Sequence, residues 1–180
     1  MPVDESAIAT WANVVTVTRV LASPFLFAIL PSDSRGSWVA FVVWVLLCSS
    51  DGVDGYLARR HGTTKSGAFL DPLADKILIL GAMFTLVSRG IFWLLPVSII
   101  AGREILISVY RVVVGARGVS VPASKLAKWK TLFQQLAVAF AIAPLTTTDV
   151  TWLWVSLLWA AVVLTIITGT QYAYHAVKER

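Results

Sequence analysis

Six long apolar stretches, separated by short polar segments, dominate the pattern of residues along the chain. An α-helix needs roughly 20 residues to cross a bilayer, and each stretch has a similar length. The segments between them are rich in the Gly, Pro, Ser and Asp residues typical of turns. We therefore predict an all-α integral membrane protein with six transmembrane helices, at about residues 13–31, 37–57, 68–88, 91–114, 126–144 and 150–171. No internal repeat is visible, so residues 1–180 are predicted to form one domain.

The composition supports the membrane prediction and also suggests an orientation. Of the 180 residues, 57% are hydrophobic and 14% are charged, whereas soluble domains carry about 25% charged residues. With six helices, only Arg35 and Arg89 of the 15 lysines and arginines fall on the side opposite the termini. By the positive-inside rule, both termini and the connection between the second and third helices are expected in the cytoplasm. Asp4 and Glu5 precede the first apolar stretch, so no cleavable basic leader is expected.

The charge balance indicates a lipid rather than a nucleic-acid partner. The net charge is +5 at pH 7, and lysines and arginines next to a membrane attract anionic headgroups. No nucleic-acid-binding module is visible, so no nucleic-acid partner is expected. The single cysteine, Cys48, cannot form an intrachain disulfide.

Four aspartates interrupt the apolar pattern between the second and third predicted helices. Asp51 and Asp54 are three residues apart, and Asp71 and Asp75 are four apart, so each pair would share one helix face. If the two helices pack as neighbours, four carboxylates converge at the membrane boundary, where uncompensated charge is costly. Two divalent cations would balance this charge, and an all-oxygen ligand set favours Mg²⁺ or Mn²⁺. In the alternative interpretation the aspartates cap helices or pair with nearby basic residues.

The spacing of these residues matches a known pattern. Asp51-x2-Asp54-Gly55-x2-Ala58-Arg59, followed by Gly67-x3-Asp71-x3-Asp75, resembles the signature of the CDP-alcohol phosphatidyltransferases. The seven residues between Arg59 and Gly67 form a shorter connection than is usual in that family. The stretch Asn13-x2-Thr16-x2-Arg19 also resembles the start of the family's first helix.

The resemblance implies a six-helix membrane enzyme that forms a homodimer and holds two divalent cations at the cytoplasmic boundary. A CDP-linked lipid would donate its phosphatidyl group to an alcohol, and CMP would leave. The implied metal ligands are Asp51, Asp54, Asp71 and Asp75. Asp75 is also implied to be the base that accepts the proton of the alcohol. The implied CDP-lipid-binding residues are Gly55, Ala58, Arg59 and Gly67. The expected location is the inner membrane of a bacterium.

A second polar cluster lies late in the fourth and early in the fifth predicted helix. Glu104 and Arg111 are seven residues apart and therefore nearly share a helix face. An ionisable residue within a membrane span is a candidate for function. The candidates for binding a phosphate group on the acceptor are Arg103, Arg111, Ser124, Lys125 and Lys128. The alternatives are that the lysines only follow the positive-inside rule and that Arg103 forms an internal pair with Glu104 or with an aspartate.

The residues from Arg103 to Gln134 also resemble, more loosely, the family members whose acceptor is sn-glycerol 3-phosphate. The expected reaction is therefore transfer of a phosphatidyl group from CDP-diacylglycerol to sn-glycerol 3-phosphate. The cardiolipin synthase type, whose acceptor is phosphatidylglycerol, and the phosphatidylinositol-phosphate synthase type are alternatives. A divalent-cation transporter is disfavoured, because transport sites usually lie near the midplane between repeats.

Overall fold

The computed structural model describes residues 11–33, 35–61, 65–116, 125–144 and 150–178. Within these ranges only the backbone is described for residues 11–13, 15, 51–61, 65–71, 116, 125 and 173–178. The described residues form six α-helices and no strand. The helices are α1 (Trp11–Ile29), α2 (Trp38–His61), α3 (Lys65–Ser88), α4 (Leu94–Ala116), α5 (Lys125–Ile142) and α6 (Thr151–Lys178).

Each predicted span corresponds to one helix, and several of these helices extend beyond the approximate predicted ends. Helix α2 continues past residue 57 to His61, α3 begins at Lys65 rather than at residue 68, and α6 continues past residue 171 to Lys178. The prediction ended each helix where the apolar pattern ended. Backbone hydrogen bonding does not require apolar side chains, so these helices continue through polar segments.

The helices pack around a core of large apolar side chains. Helix α1 lies against both α2 and α3, while α6 lies against α4 and α5. The indole Nε1 of Trp44 in α2 donates a hydrogen bond to the carbonyl oxygen of Gln135 in α5, at 3.1 Å. Trp44 is itself buried, and this bond satisfies the only polar atom of its side chain. The core includes Leu26, Trp44, Leu78, Met83, Leu86, Ile100, Ile142 and Leu158.

Two glycines allow close approach between elements. A Cβ atom on Gly81 of α3 would lie 2.2 Å from Cζ of Phe27 in α1, so the ring occupies the space that a side chain would need. Gly36 precedes α2 and has a positive φ of 72°. A Cβ atom there would lie 2.7 Å from the carbonyl oxygen of Ile142. The neighbouring Ser37 N–H donates to that same carbonyl, at 2.9 Å.

These contacts define one end of the helix bundle. The connection between α1 and α2 meets the C-terminal end of α5 through Gly36 and Ser37. Arg89, in the connection between α3 and α4, donates to the carbonyl oxygens of Phe27 at 2.8 Å and Ala28 at 3.2 Å. The C-terminal half of α2 and the N-terminal half of α3, which carry the four aspartates, therefore point toward the opposite end.

Among the described residues, Thr151–Tyr172 is the one stretch that is long and apolar enough to cross a membrane, with a mean hydropathy of 2.0. Shorter apolar stretches occur at Thr16–Ile29 and Trp38–Ser50. Six transmembrane spans therefore stay a prediction. Several other helices carry ionisable residues inside their length, such as Lys76 in α3 and Arg103 in α4, and these lower the mean hydropathy.

Candidate active site

A cavity of about 590 Å³ lies among α3, α4, α5 and α6. Pockets for small molecules typically measure about 300–1,000 Å³. The cavity brings together four of the residues predicted from sequence, which are Asp75, Arg103, Arg111 and Lys128. Other polar residues in its wall are Lys76, Glu104, Lys130, Thr131, Gln134, Gln135 and Tyr172. The same cavity is thus lined by a member of the predicted aspartate cluster and by members of the predicted basic cluster.

Asp75 is positioned by an arginine from a different helix. Arg19 of α1 donates from Nη1 to Oδ1 of Asp75 in α3, at 2.8 Å, and from Nε to Oγ of Ser50 in α2, at 3.1 Å. The Arg19 side chain is fully buried, whereas that of Asp75 is 27% exposed. One planar guanidinium therefore joins three helices and orients a carboxylate that is still accessible from the cavity.

The structure gives a backbone position for most of the remaining predicted residues. Asp51 and Asp54 lie in α2 and are three residues apart, and Asp71 lies in α3, one turn before Asp75. Only the backbone is described for Asp51, Asp54, Gly55, Ala58, Arg59, Gly67, Asp71 and Lys125. Ser124 lies wholly outside the described residues. The side chains that are described contain no group of three or more His, Cys, Asp or Glu residues that could hold a metal.

Glu104 connects two basic residues in the cavity wall. Its carboxylate accepts hydrogen bonds from Nη1 of Arg103, at 3.0 Å, and from Nζ of Lys130 in α5. The pair between Arg103 and Glu104 that the alternative interpretation expects is therefore present. Even so, Nε and Nη2 of Arg103 are buried and have no hydrogen-bond partner among the described residues. Those two donors can still bind an oxygen-rich ligand.

Lys76 joins the same group of residues from α3. Its amine donates to Oγ of Ser108 in α4, and that hydroxyl donates to the carbonyl oxygen of Glu104, at 2.6 Å. Among the described residues that line the cavity, the basic ones are Lys76, Arg103, Arg111, Lys128 and Lys130, and the acidic ones are Asp75 and Glu104. The described part of the wall therefore carries an excess of positive charge, which favours an anionic ligand.

The C-terminal part of α6 completes the wall. Nη2 of Arg111 donates to the hydroxyl of Tyr172, at 3.0 Å. The ring of Tyr172 also lies 5.5 Å from Cζ of Arg103 and 5.6 Å from Cζ of Arg111. Sequence reasoning did not single out Tyr172, because its spacing from the arginines of α4 carries no periodic signal.

Sequence reasoning did not distinguish the lysines of α5 by their depth. It selected Lys125 and Lys128, but Lys128 is exposed at the rim of the cavity, while Lys130 is buried and paired with Glu104. It placed Arg19 among the cytoplasmic basic residues and in the family-like start of the first helix, but gave neither Arg19 nor Gln134 a role of its own. A signal was available for Arg19, which lies well inside the first apolar stretch, where an unpaired charge would be costly.

Comparison with known proteins assigns the chain to a family. The model of the CDP-alcohol phosphatidyltransferase family matches residues 9–167. A Mycobacterium tuberculosis protein named "Probable phosphatidylglycerophosphate synthase" is 37% identical over 178 residues, which cover 96% of this chain and 84% of that protein.

Two similar proteins share the name CDP-diacylglycerol–glycerol-3-phosphate 3-phosphatidyltransferase. The one from Cereibacter sphaeroides is 32% identical over 203 residues, covering 89% of this chain and 92% of its own. The one from Pseudomonas fluorescens is 38% identical over 138 residues, covering 73% of this chain and 71% of its own. The resemblance found in the aspartate pattern is thus confirmed, and the chain belongs to the CDP-alcohol phosphatidyltransferase family.

Proposed function

We propose that this protein transfers the phosphatidyl group of CDP-diacylglycerol to sn-glycerol 3-phosphate, giving phosphatidylglycerophosphate and CMP. The observation that carries the proposal is the positively charged cavity beside Asp75, which can hold an acceptor that bears a phosphate. The names of the similar bacterial proteins support the same donor and the same acceptor.

The acceptor phosphate would bind to Arg103, Arg111 and Lys128, together with the predicted contributors Ser124 and Lys125. Arg103 has two buried donor atoms, Nε and Nη2, without a partner among the described residues, and the oxygens of a phosphate would satisfy them. A guanidinium can grip two oxygens of one phosphate, so its geometry favours this ligand over a neutral alcohol. Lys128 is exposed at the rim and would add a point charge at the entrance.

Asp75 would accept the proton of the acceptor hydroxyl. The hydroxyl oxygen forms a bond to the phosphorus of the phosphatidyl group, the bond from that phosphorus to the CMP oxygen breaks, and the proton passes to Asp75. Asp75 suits this role, since Arg19 holds one carboxylate oxygen and the side chain faces the cavity. CDP-diacylglycerol would bind at Gly55, Ala58, Arg59 and Gly67.

Divalent cations, Mg²⁺ or Mn²⁺, would be held by Asp51, Asp54, Asp71 and Asp75. The helical backbones of α2 and α3 are compatible with this site, because each presents two of the four aspartates within about one turn. When bound, the cations would neutralise the diphosphate and the charge that develops on CMP.

The site is proposed to lie at the cytoplasmic boundary of a bacterial inner membrane, in a homodimer with six spans per chain and both termini in the cytoplasm. The donor needs hydrocarbon for its acyl chains, whereas the acceptor is water-soluble, so the reaction belongs where the two phases meet. Large apolar side chains on the outer surface support the membrane environment, and these include Leu21, Phe25, Leu46, Leu95, Leu106 and Trp152.

An assay with the purified protein in lipid nanodiscs tests the proposal. CDP-diacylglycerol is supplied with glycerol 3-phosphate, phosphatidylglycerol or inositol phosphate, and both CMP release and the lipid product are followed. We expect turnover with glycerol 3-phosphate, loss of turnover in EDTA, and recovery with Mg²⁺ or Mn²⁺. Turnover only with phosphatidylglycerol would favour the cardiolipin synthase type. Cation flux without CMP release would instead indicate a transporter.

A further inference from the structure

We propose that Tyr172 is a positioning residue that holds Arg103 and Arg111 in the arrangement that binds the acceptor phosphate. Tyr172 lies on α6, whereas both arginines lie on α4. The inference rests on the proposed function, because that function assigns the phosphate of the acceptor to these two arginines. It adds α6 to the elements that determine acceptor binding.

The contacts of Tyr172 reach both arginines. Its hydroxyl accepts a hydrogen bond from Nη2 of Arg111, at 3.0 Å. Its ring lies within 5.6 Å of the Cζ atoms of both guanidinium groups, a distance at which a cation is attracted to the face of an aromatic ring. Tyr172 itself is only 8% exposed, so the packing around it restricts the ring to one position.

The backbone of α6 also supports this arrangement. Gly169 lies one turn before Tyr172 on the same helix. A Cβ atom on Gly169 would lie 3.5 Å from Cγ of Arg103, which shows that the stem of Arg103 runs alongside α6. The helix therefore contacts Arg103 at its stem through Gly169 and at its charged end through Tyr172.

Within α4, the carboxylate of Glu104 holds Arg103, and the contact that brings both arginines together comes from α6. They are eight residues apart, which corresponds to about 12 Å along the helix axis. Both carry positive charge and line a cavity that also contains Lys76, Lys128 and Lys130, so they repel one another. Long side chains also lose rotamer freedom when they bind a ligand. An aromatic ring in contact with both guanidinium groups offsets their repulsion and restricts their rotamers before the phosphate binds.

A purely structural role for Tyr172 predicts a different result from a positioning role. If the residue only packed α6 against α4, its replacement would lower thermal stability and turnover together. If it positions the arginines, its replacement weakens binding of the phosphate and leaves turnover at saturating acceptor close to that of the wild type. The ratio of the effect on KM to the effect on kcat therefore distinguishes the two roles.

The test uses Tyr172→Phe, which removes the hydroxyl, and Tyr172→Leu, which also removes the ring. Tyr110→Phe is the matched control, because Tyr110 lies on α4 next to Arg111 but is not among the residues lining the cavity. The full-length protein in nanodiscs is assayed for KM of glycerol 3-phosphate, KM of CDP-diacylglycerol and kcat. Binding of inorganic phosphate is measured separately by calorimetry, which does not depend on turnover.

We expect Tyr172→Phe to raise KM for glycerol 3-phosphate about 2- to 10-fold, the usual effect of one lost hydrogen bond. Tyr172→Leu should raise it about 10- to 100-fold, since two cation–π contacts are lost as well. The dissociation constant of inorganic phosphate should rise in parallel. KM for CDP-diacylglycerol and kcat should stay within about twofold of wild type, and Tyr110→Phe should behave as wild type.

Addition of Tyr172→Phe to Arg111→Ala should change KM much less than Tyr172→Phe alone does, because the hydrogen bond from Arg111 to the hydroxyl is already absent. Unchanged phosphate affinity in Tyr172→Phe and Tyr172→Leu would overturn the inference, as would parallel losses of kcat and melting temperature in Tyr172→Phe. If Tyr172→Leu does not fold, Tyr172→Phe alone decides. A wild-type protein that binds phosphate but does not use glycerol 3-phosphate would contradict the proposed function and not the role of Tyr172.

Discussion

Arg19 shows how a charged side chain can be tolerated in the middle of an apolar helix. The side chain is fully buried in α1, yet its guanidinium meets Asp75 of α3 and Ser50 of α2. A buried cation without partners would be costly, and a carboxylate at 2.8 Å offsets that cost. The same contact orients the proposed base, so Arg19 would serve both stability and the proposed catalysis.

We predict that Arg19→Lys lowers turnover at least about tenfold. A lysine keeps the charge, but its single nitrogen cannot reproduce the planar fork that reaches two helices. The measurement is kcat at saturating substrates, with melting temperature recorded in parallel. Ser50→Ala is the control, because it removes only the hydroxyl partner and should have a smaller effect. Wild-type kinetics in Arg19→Lys would show that the fork geometry has no role.

Arg111 and Lys128 should contribute unequally to acceptor binding. Arg111 is half-buried, whereas Lys128 is exposed. Charge-assisted hydrogen bonds contribute about 1.5–3 kcal/mol, but exposed ion pairs contribute about 0–1 kcal/mol. We therefore expect Arg111→Ala to raise KM for glycerol 3-phosphate about 10- to 150-fold. Lys128→Ala should raise it about fivefold or less.

The control for both variants is KM for CDP-diacylglycerol, which should change little, because the two residues are assigned to the acceptor. Steady-state kinetics with each substrate varied in turn provides the comparison. If neither variant changes the kinetics of glycerol 3-phosphate, the phosphorylated-acceptor assignment is wrong. The cardiolipin synthase type would then become the first alternative.

At the scale of elements, α1 and α3 owe their close approach to one glycine. The ring of Phe27 occupies the position that a side chain on Gly81 would take. Asp75 lies on α3 and Arg19 on α1, so the spacing of these two helices also sets the distance between the members of that ion pair. A substitution that changes the contact between α1 and α3 should therefore also change the geometry of the Arg19–Asp75 pair.

We predict that Gly81→Ala lowers the free energy of unfolding by about 1–3 kcal/mol, because the new methyl group overlaps with Phe27. Gly102→Ala in α4 is the matched control, since a Cβ atom there meets nothing within 4 Å. It should raise stability by about 0.5–1 kcal/mol, as alanine is favoured over glycine inside helices. Thermal unfolding in detergent compares the two variants. Equal melting temperatures would contradict the overlap, and Phe27→Leu should restore stability to Gly81→Ala.

At the scale of the whole molecule, the bundle has two chemically different ends. The end defined by Gly36, Arg89 and Ile142 holds the α1–α2 and α3–α4 connections, with Arg35 and Arg89 as its basic residues among those described. The cavity is lined by α3, α4, α5 and α6, which also carry its basic side chains. The lining includes residues near the start of α5 and near the end of α6. This asymmetry is what the positive-inside rule would require of an enzyme with a cytoplasmic site.

We predict that cysteines at Asp33 and Ser88 react with an impermeant thiol reagent from outside the cell, and that one at Gly115 reacts only from the cytoplasm. Asp33 and Ser88 lie at the end of the bundle with few basic residues, whereas Gly115 lies near the C-terminal end of α4. Each cysteine is introduced into a Cys48→Ala background, because Cys48 is the only native thiol. Labelling of Asp33 and Gly115 from the same face would be incompatible with the six-span topology.

The sequence by itself determined the six helices and the family. Both depend on spacing within one helix, since apolar runs indicate helices and the intervals between Asp51, Asp54, Asp71 and Asp75 form the family signature. Such signals are local, and the backbone geometry of a helix converts them directly into shared faces. The same reasoning missed several helix ends, where polar segments continue the helix without an apolar pattern.

Only the tertiary structure decided which side chains meet across the cavity. Arg19 and Asp75 are 56 positions apart, and Arg111 and Tyr172 are 61 apart. Helical periodicity predicts the face of its own helix on which a side chain lies, but not which other helix packs against that face. The pairing of Glu104 with Lys130, rather than with the exposed Lys128, depends on the rotation of α5 relative to α4. That rotation results from the packing of all the helices together, which no single stretch of sequence encodes.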